Sequence, residues 1–283
     1  MPLRPFFLEG PAGPLFAIYH PPEGGAEDQG DIVWVPPFAE EMNQSRRMAA
    51  LQARRFAAAG LGVLLLDLYG TGDSSGGFED ARWDIWCGDV AAALDWLEAQ
   101  GRPPAALWGL RLGGLLAMAA ARDRPGRVTR AVLWQPVTKG KTMLTQFLRL
   151  RVAAGMSGSG MSGSGARETT DALRQALKEG QSIEVAGYRL APELTAAVDA
   201  AELAPLAPPA DCRVDWLEIA SGADTPLSPG AGRIVEAWRT QGARVSTRVV
   251  TGEPFWSMQT LFEPVLVPGL WDQTLAAWTD TPR

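Results

Sequence analysis

Residues 106–117, ALWGLRLGGLLA, are the most informative stretch of the sequence, because they predict a strand that enters a tight glycine-flanked turn and continues as a helix. The spacing of Gly109, Arg111 and Gly113 has the Gly-x-Ser-x-Gly frame of a nucleophile elbow, in which a serine occupies the sharp turn. Arg111 stands where that serine is expected. A guanidinium stays protonated at neutral pH and cannot attack a carbonyl carbon. The stretch therefore predicts an elbow without its usual nucleophile.

Strand patterns alternate with helical patterns on both sides of the elbow. Two short apolar runs around a Gly/Pro turn at 10–14 predict an N-terminal hairpin. Further apolar runs predict strands or strand ends at 31–37, 62–68, 131–136, 214–224 and 245–253. A two-stranded start followed by this alternation predicts an α/β protein with a mostly parallel sheet and helices on both faces.

Amphipathic helices are predicted between these strands. The first, over 43–60, has Ser45 as its N-cap and ends at Gly60. The helix over 83–99 has an apolar face and three aspartates off that face, Asp84, Asp89 and Asp95. Its apolar face is formed by Trp86, Val90, Leu94 and Leu97. Later helices are predicted over 230–242 and 269–280.

The alternation breaks over residues 138–209, where helical patterns occur without a strong strand. This segment contains the repeat MSGSGMSGSG at 156–165, and Gly and Ser at such density predict a mobile loop. Because the α/β pattern resumes afterwards, we expect a helical lid over 138–209, inserted between core segments 1–137 and 210–283.

Composition narrows the classes of function. The net charge of -6 disfavours a nonspecific nucleic-acid surface, and no run approaches the ~18 apolar residues that span a bilayer. Without the h-region of a signal peptide, a cytoplasmic protein is expected, with Cys87 and Cys212 reduced and buried. A single histidine and two isolated cysteines disfavour a metal site, and the absence of nucleotide-binding motifs predicts no cofactor.

Two motifs besides the elbow resemble those of a known superfamily. The stretch DLYGTGDSSG (67–76) resembles the loop after the fourth strand in the α/β-hydrolase superfamily. VPPFAEEMNQSRRM (35–48) follows the third strand, where that superfamily usually builds its oxyanion hole. The resemblance covers nearly the whole chain and implies an α/β-hydrolase fold with an inserted lid.

A narrower resemblance rests on five motifs together: PPFAEEMNQSRRM, LLLDLYGTGDSSG, WGLRLGGLLA, RETT and VAGYRLAPEL. They are similar to the exosortase A system-associated hydrolase 2 group. That resemblance implies a gene neighbourhood of bacterial exosortase/PEP-CTERM and exopolysaccharide genes. It also implies a possible partner, a second, distantly related hydrolase-fold protein encoded nearby.

The residues of a Ser-His-Asp site are incomplete in this chain. Such a site needs a nucleophile, a base and an orienting acid, and the superfamily places the histidine last. The single histidine, His20, precedes the elbow and is interpreted as a strand-end residue. Phe255 and Trp256 stand near the expected base position, and Asp224 is the candidate for a retained acid. Other candidate nucleophiles are Ser74, Ser75, Cys87 and Ser257. The sequence spacing pairs none of them with a catalytic base.

Arg111 needs a carboxylate nearby, because an unpaired buried charge is costly. Glu41 or Glu40 is the expected partner, with Asp224 next. In one interpretation the resulting salt bridge closes a dead active site. In the other, Arg111 binds an anionic ligand in a pocket formed with Phe38, Glu40 and Glu41.

Three functions follow from these interpretations. The first is a non-catalytic ligand-binding or partner protein. The second is a hydrolase or acyl transferase acting on an ester or thioester, with Arg111 stabilising charge and Glu40, Glu41 or Asp224 as base. The third is a purely structural role, which predicts an exposed apolar patch in the tryptophan-rich C-terminal part.

Overall fold

Ten strands occur in the computed structural model, which describes residues 3–23, 29–102, 105–157, 168–222, 224–257 and 265–279. They are β1 (Arg4–Glu9), β2 (Pro14–His20), β3 (Asp31–Val35), β4 (Gly62–Leu66), β5 (Ala105–Leu110), β6 (Val128–Trp134), β7 (Ile183–Val185), β8 (Tyr188–Leu190), β9 (Arg213–Ala220) and β10 (Arg244–Thr251). Eight of them form one sheet in the order β1-β2-β4-β3-β5-β6-β9-β10. The β1–β2 and β2–β4 pairs are antiparallel and the other pairs are parallel, which confirms the predicted sheet.

Eight α-helices connect these strands within the described ranges. They are α1 (Glu40–Ala58), α2 (Trp83–Ala99), α3 (Leu112–Asp123), α4 (Gly140–Ser157), α5 (Thr170–Lys178), α6 (Pro192–Ala200), α7 (Pro229–Thr240) and α8 (Pro268–Thr279). Helices α1 and α8 share one apolar cluster with the sheet, whereas α2, α3 and α7 share another with its opposite face. The α1 side contains three tryptophans in mutual contact, Trp34, Trp108 and Trp134. Helices therefore cover both faces, as the alternation of patterns predicts.

The segment between β6 and β9 contains a small hairpin as well as helices α4, α5 and α6. Strands β7 and β8 pair antiparallel, and their turn at Ala186 and Gly187 has φ of 50° and 86°. Two positive φ values are what a type I′ hairpin turn requires. The sequence predicts no strong strand in this segment, and it does not reveal this hairpin, because three-residue strands are too short to show periodicity. Residues 158–167, with most of the Gly/Ser repeat, lie outside the described residues.

Helix α1 begins earlier than predicted. It starts at Glu40 with Ala39 as its N-cap residue, and Ser45 lies inside the helix and is buried. The Ser45 hydroxyl donates a hydrogen bond to Met42 O within the same helix. The N-cap prediction for Ser45 is wrong because the chain turns into the helix directly after the loop that follows β3.

Asp89 on α2 is fully buried, although the apolar pattern placed it off the packed face. Its four predicted apolar neighbours on α2 are buried as expected, Trp86, Val90, Leu94 and Leu97. Asp89 Oδ2 accepts a hydrogen bond from the Tyr69 N–H at 2.8 Å, and Oδ1 has no partner among the described residues. Burial raises the pKa of the Asp89 carboxyl to about 7. Helix α2 thus uses this carboxylate to hold the loop after β4.

Asp89→Asn tests that burial. A carboxyl group whose pKa is raised on folding binds a proton in the folded chain that the unfolded chain has released. Wild-type stability should therefore fall between about pH 4 and about pH 7, by up to about 4 kcal/mol from this group. Urea unfolding across this range should show a smaller loss in Asp89→Asn. The exposed Asp84→Asn on the same helix serves as control, and equal pH dependence in Asp89→Asn and wild type contradicts the assignment.

Two glycines allow α3 to cross the sheet closely. A Cβ on Gly113 would lie 2.2 Å from Val35 O and 2.5 Å from Pro36 O. A Cβ on Gly109 would lie 2.5 Å from Gly113 O. Both distances are to backbone atoms, which cannot rotate away as a side chain can. The glycines of the elbow therefore set how near α3 lies to the ends of β3 and β5.

Gly113→Ala should lower the free energy of unfolding by about 3 kcal/mol, the upper end for overpacking, because the added methyl meets backbone. Gly232→Ala is the matched control. Gly232 lies in α7, where an added Cβ has no neighbour within 4 Å, so alanine should be neutral or stabilise by up to about 1 kcal/mol. Urea denaturation measures both, and equal stability of the two variants contradicts the close crossing.

Among its described residues, the tryptophan-rich C-terminal part does not form the predicted exposed patch. Trp256 and Trp271 are buried, and the large apolar residues that are exposed in the described ranges are Leu3, Phe7 and Leu150. Both cysteines are free; Cys212 is buried as predicted, whereas Cys87 is half-buried. None of the helices in the described ranges is long and apolar enough to cross a membrane.

Candidate functional site

Arg111 occupies a strained turn at the carboxyl end of β5. Its φ of 54° and ψ of -118° lie in a region that costs a non-glycine residue about 1–3 kcal/mol. The surrounding backbone holds this conformation, since the Arg111 N–H donates to Trp134 O and its carbonyl accepts from Gly114 N–H and Val137 N–H. The backbone of an elbow is thus present, with an arginine side chain at its tip.

Ala39 repeats that conformation after β3. Its φ of 51° and ψ of -125° nearly match those of Arg111, and α1 begins at the next residue. Strands β3 and β5 are neighbours in the sheet, so the two turns lie side by side. This arrangement brings Glu40 and Glu41, in the first turn of α1, to the edge of the sheet where Arg111 stands.

Glu41 is the carboxylate that pairs with Arg111. Arg111 Nε donates to Glu41 Oε1 at 3.1 Å, and the two side chains are 17% and 20% exposed. Glu41 Oε2 is buried and has no partner among the described residues. Burial raises the pKa of the Glu41 carboxyl, and the charge and hydrogen bond of Arg111 oppose that rise. The expected pair therefore forms through Glu41 rather than through Glu40.

Trp256 covers the Arg111 guanidinium from the loop after β10. The guanidinium carbon lies 5.5 Å from the centre of the Trp256 ring, which is within cation–π distance. Phe255 packs against both Trp256 and Trp134, and both residues of the loop are buried. An aromatic ring thus contacts the elbow residue where the superfamily resemblance places a base.

Glu40 contacts the inserted segment instead of Arg111. Tyr188 in β8 donates its hydroxyl proton to Glu40 Oε2 at 3.1 Å, while Asn43 Nδ2 donates to both of them. Gln44 Nε2 donates to Glu40 Oε1 at 3.0 Å. Burial and the charge of Glu40 raise the pKa of Tyr188 to about 12, so its phenol stays protonated at neutral pH. Tyr188 was not predicted as a site residue, because no sequence pattern connects it to α1.

A cavity of about 490 Å³ lies above Arg111. The lining residues in the described ranges are Phe38, Glu40, Glu41, Arg111, Met143, Gln146, Phe147, Leu150, Pro254, Trp256 and Ser257. All four residues predicted to bind a ligand are among them. The four residues from α4 were missed, although their i, i+3, i+4, i+7 spacing is that of one helix face. The cavity wall is mostly apolar, with the Arg111–Glu41 pair on one side.

Several residues considered for catalysis lie elsewhere. His20 pairs with Val63 at the amino-terminal edge of the parallel strands, opposite the edge that carries Arg111. Asp224 is exposed and does not line the cavity. The buried Ser74 hydroxyl donates to Asp67 O and accepts from Phe16 N–H, which is a structural role.

The sequence of residues 30–179, just over half of the chain, matches the family model described as serine aminopeptidase, S33. The chain belongs to this family of α/β hydrolases. No curated protein matches it. Its membership agrees with the elbow, the sheet order and the inserted helical segment described above.

Solved structures similar to this S33-family chain are α/β hydrolases at low identity. Est1E from Butyrivibrio proteoclasticus, with ferulic acid bound, has a TM-score of 0.66 and 16% identity over 98% of this chain and 100% of its own. A carboxyl esterase from Bacillus coagulans has a TM-score of 0.59 and 14% identity, over 89% and 91%. A serine hydrolase homologue from Coxiella burnetii has 0.57 and 15%, over 97% and 95%. These likenesses establish the fold alone.

Replacement of Arg111 by leucine should leave Glu41 without its cation in this S33-family site. The pKa of Glu41 should rise further, so the loss of stability should be larger at about pH 8 than at about pH 5. Because the pair retains some exposure, we expect a loss of about 1–2 kcal/mol near neutral pH.

Urea unfolding of Arg111→Leu, Glu41→Gln and the double variant measures that coupling. The double variant should recover most of the loss, because the neutral amide at position 41 needs no cation. A loss in Arg111→Leu that does not change with pH, or that Glu41→Gln does not relieve, contradicts the pairing.

Proposed function

We propose that this S33-family chain is a non-catalytic protein that binds a small carboxylate with an apolar body. The proposal rests on the hydrogen bonds of the Arg111 guanidinium. It donates its Nε–H to Glu41, and its two terminal nitrogens hydrogen-bond none of the residues that the structure describes. Those nitrogens form the donor pair that matches a carboxylate in bidentate geometry.

The backbone beside Arg111 supports anion binding. Arg111 immediately precedes α3, whose first turn has N–H groups without intrahelical acceptors. The amino end of a helix carries partial positive charge and favours an anion. Glu41 holds the guanidinium through Nε and balances one charge, so a ligand carboxylate would meet a preorganised donor pair.

The cavity wall supports an apolar ligand body. Phe38 and Trp256 supply aromatic surface, and α4 supplies Met143, Phe147 and Leu150. The volume of about 490 Å³ is in the usual range for small-molecule pockets. Ferulic acid, an aromatic carboxylate bound by the similar Est1E, combines the two required features and is a suitable first probe.

The catalytic alternative assigns Glu41 as the base and Arg111 as the stabiliser of developing charge. Burial raises the pKa of Glu41, which makes its carboxylate a stronger proton acceptor. Its oxygens disfavour that role, because Oε1 accepts a hydrogen bond from Arg111 and Oε2 is buried from solvent. The chain also has no serine at the elbow and no histidine after it. Binding without turnover is therefore the better-supported function.

The biological setting is part of the same proposal and rests on sequence motifs. We assign the chain to the exosortase A-associated hydrolase 2 group, in the cytoplasm, with a second hydrolase-fold protein as partner. We also propose that a lid over residues 138–209 is inserted between core segments 1–137 and 210–283.

Isothermal titration calorimetry with ferulate and its uncharged methyl ester tests the binding role. Wild type should bind ferulate at least about tenfold more tightly than the ester, because a charge-assisted contact is worth about 1.5–3 kcal/mol. Arg111→Leu should reduce ferulate affinity to that of the ester. Arg47→Leu, an exposed arginine of α1 that does not line the cavity, should bind as wild type does.

Turnover of acyl esters and thioesters by wild type and folded Arg111→Leu tests the alternative. Wild type should not exceed the rate in buffer. Turnover that depends on Arg111 would support the hydrolase or acyl transferase alternative and contradict the proposed non-catalytic role. Equal affinity for ferulate and its methyl ester in wild type would contradict anion binding at Arg111.

A further inference from the structure

A second apolar surface lies on the β1–β2 hairpin, away from the ligand cavity. Phe7 is 61% exposed and Leu3 is 47% exposed, and these are two of the three large apolar side chains exposed in the described ranges. Phe7 is opposite Phe16, and its ring packs edge-on against that of Phe16 at 5.6 Å. Ile18, in register with Leu65 of β4, continues the same face, and both are half-buried. The surface therefore runs across three strands.

Helix α1 forms a wall beside this surface. A cavity of about 240 Å³ lies between β2 and α1, lined by Phe16, Ile18, Arg46, Ala49 and Ala50 among others. Small alanine side chains on a helix let a second helix approach closely. We call the whole feature the outer groove, with its floor formed by Phe7, Phe16, Ile18 and Leu65 and its wall by Arg46, Ala49, Ala50 and Arg54.

The dimensions of the outer groove are those of one helix. Two neighbouring strands, β1 and β2, are about 10 Å wide, which is the diameter of an α-helix with its side chains. The seven residues of β2 extend for about 20 Å, which a helix of about 13 residues covers. On the rest of this face the sheet is already packed by α1 and α8. The hairpin is the part of the face that a further helix would cover.

Positive charge lines the wall of the outer groove. Arg46 is 44% exposed and forms an ion pair with Asp67, while Arg54 is exposed and makes no ion pair with the residues that the structure describes. Burial and then the charge of Arg54 lower the pKa of His20, so the Arg54 charge lies near His20 at the end of β2. Eight residues of helix separate the two arginines by about 12 Å along α1. Acidic groups about two turns apart on a partner helix would match them.

Other occupants fit less well. Pro5 in β1 lacks an N–H group, which disfavours addition of a strand at this edge. A flat bilayer fits less well, because α1, with a diameter of about 10 Å, lies beside Phe16 and Ile18. The longest stretch of this sequence outside the described residues, 158–167, has ten residues, fewer than the helix needs.

We propose that the outer groove binds an amphipathic helix of a partner protein, with an apolar stripe on the hairpin and two acidic residues against Arg46 and Arg54. The binding mode is a helix in an apolar groove, with charge pairs at its margin. This surface is separate from the ligand cavity, so the proposal does not depend on the function proposed above.

A labelled helical peptide of about 14 residues provides the probe. It carries leucines in an i, i+3, i+4, i+7 pattern and two glutamates seven positions apart on the flank. Fluorescence anisotropy should show binding to the wild-type chain, weakened at least about tenfold by Phe7→Ser and by Arg54→Glu. A peptide with lysines in place of the glutamates should prefer Arg54→Glu over wild type. Two control variants should bind the peptide as wild type does: Leu150→Ser, which removes the exposed leucine at the ligand cavity, and Arg47→Glu on α1.

Three results overturn the proposal. One is peptide binding that Phe7→Ser leaves unchanged. Another is a wild-type dimer in analytical ultracentrifugation that Phe7→Ser converts to monomer, since a second copy would then occupy the groove. The third is Phe7-dependent binding to vesicles of phosphatidylcholine and phosphatidylglycerol without binding of the peptide.

Discussion

The pairing of Arg111 with Glu41 is the interaction on which the site depends. A cation at the amino end of α3 opposes the helix dipole, and a partly buried guanidinium needs a counter-charge. Glu41 supplies it through one hydrogen bond to Nε, and Trp256 adds its ring face. These contacts orient the arginine and leave its terminal nitrogens as the polar end of a mostly apolar cavity.

The same contacts explain how an elbow persists without a serine. The turn at Arg111 is held by backbone hydrogen bonds to β6 and to the first residues of α3, and none of these bonds uses the side chain. The close approach of Gly113 to the end of β3 fixes the helix in place. Because backbone hydrogen bonds hold the strained conformation, a different side chain at the turn changes the chemistry of the site without changing the fold.

The fold was predictable from the sequence because its features are periodic. Apolar strand runs, the elbow glycines and the amphipathic helices all repeat at the spacing of their secondary structure. Single polar residues were harder to predict. Asp89 accepts a hydrogen bond from the loop after β4, 20 residues earlier in the chain, and Ser45 lies within a helix that begins earlier than expected. For the site, the need of Arg111 for a carboxylate pointed to Glu40 or Glu41. The choice between them depends on Tyr188, which only the tertiary structure brings to Glu40.

The claim that Arg111 binds a ligand carboxylate can be tested by a crystal structure of the chain with ferulate bound. We expect the ligand carboxylate within about 3 Å of both terminal nitrogens of Arg111, with Glu41 still bound to Nε and the aromatic ring of the ligand against Phe147 and Trp256. A ligand bound in the cavity with its carboxylate away from Arg111 would contradict the claim, as would an Arg111 side chain turned out of the cavity.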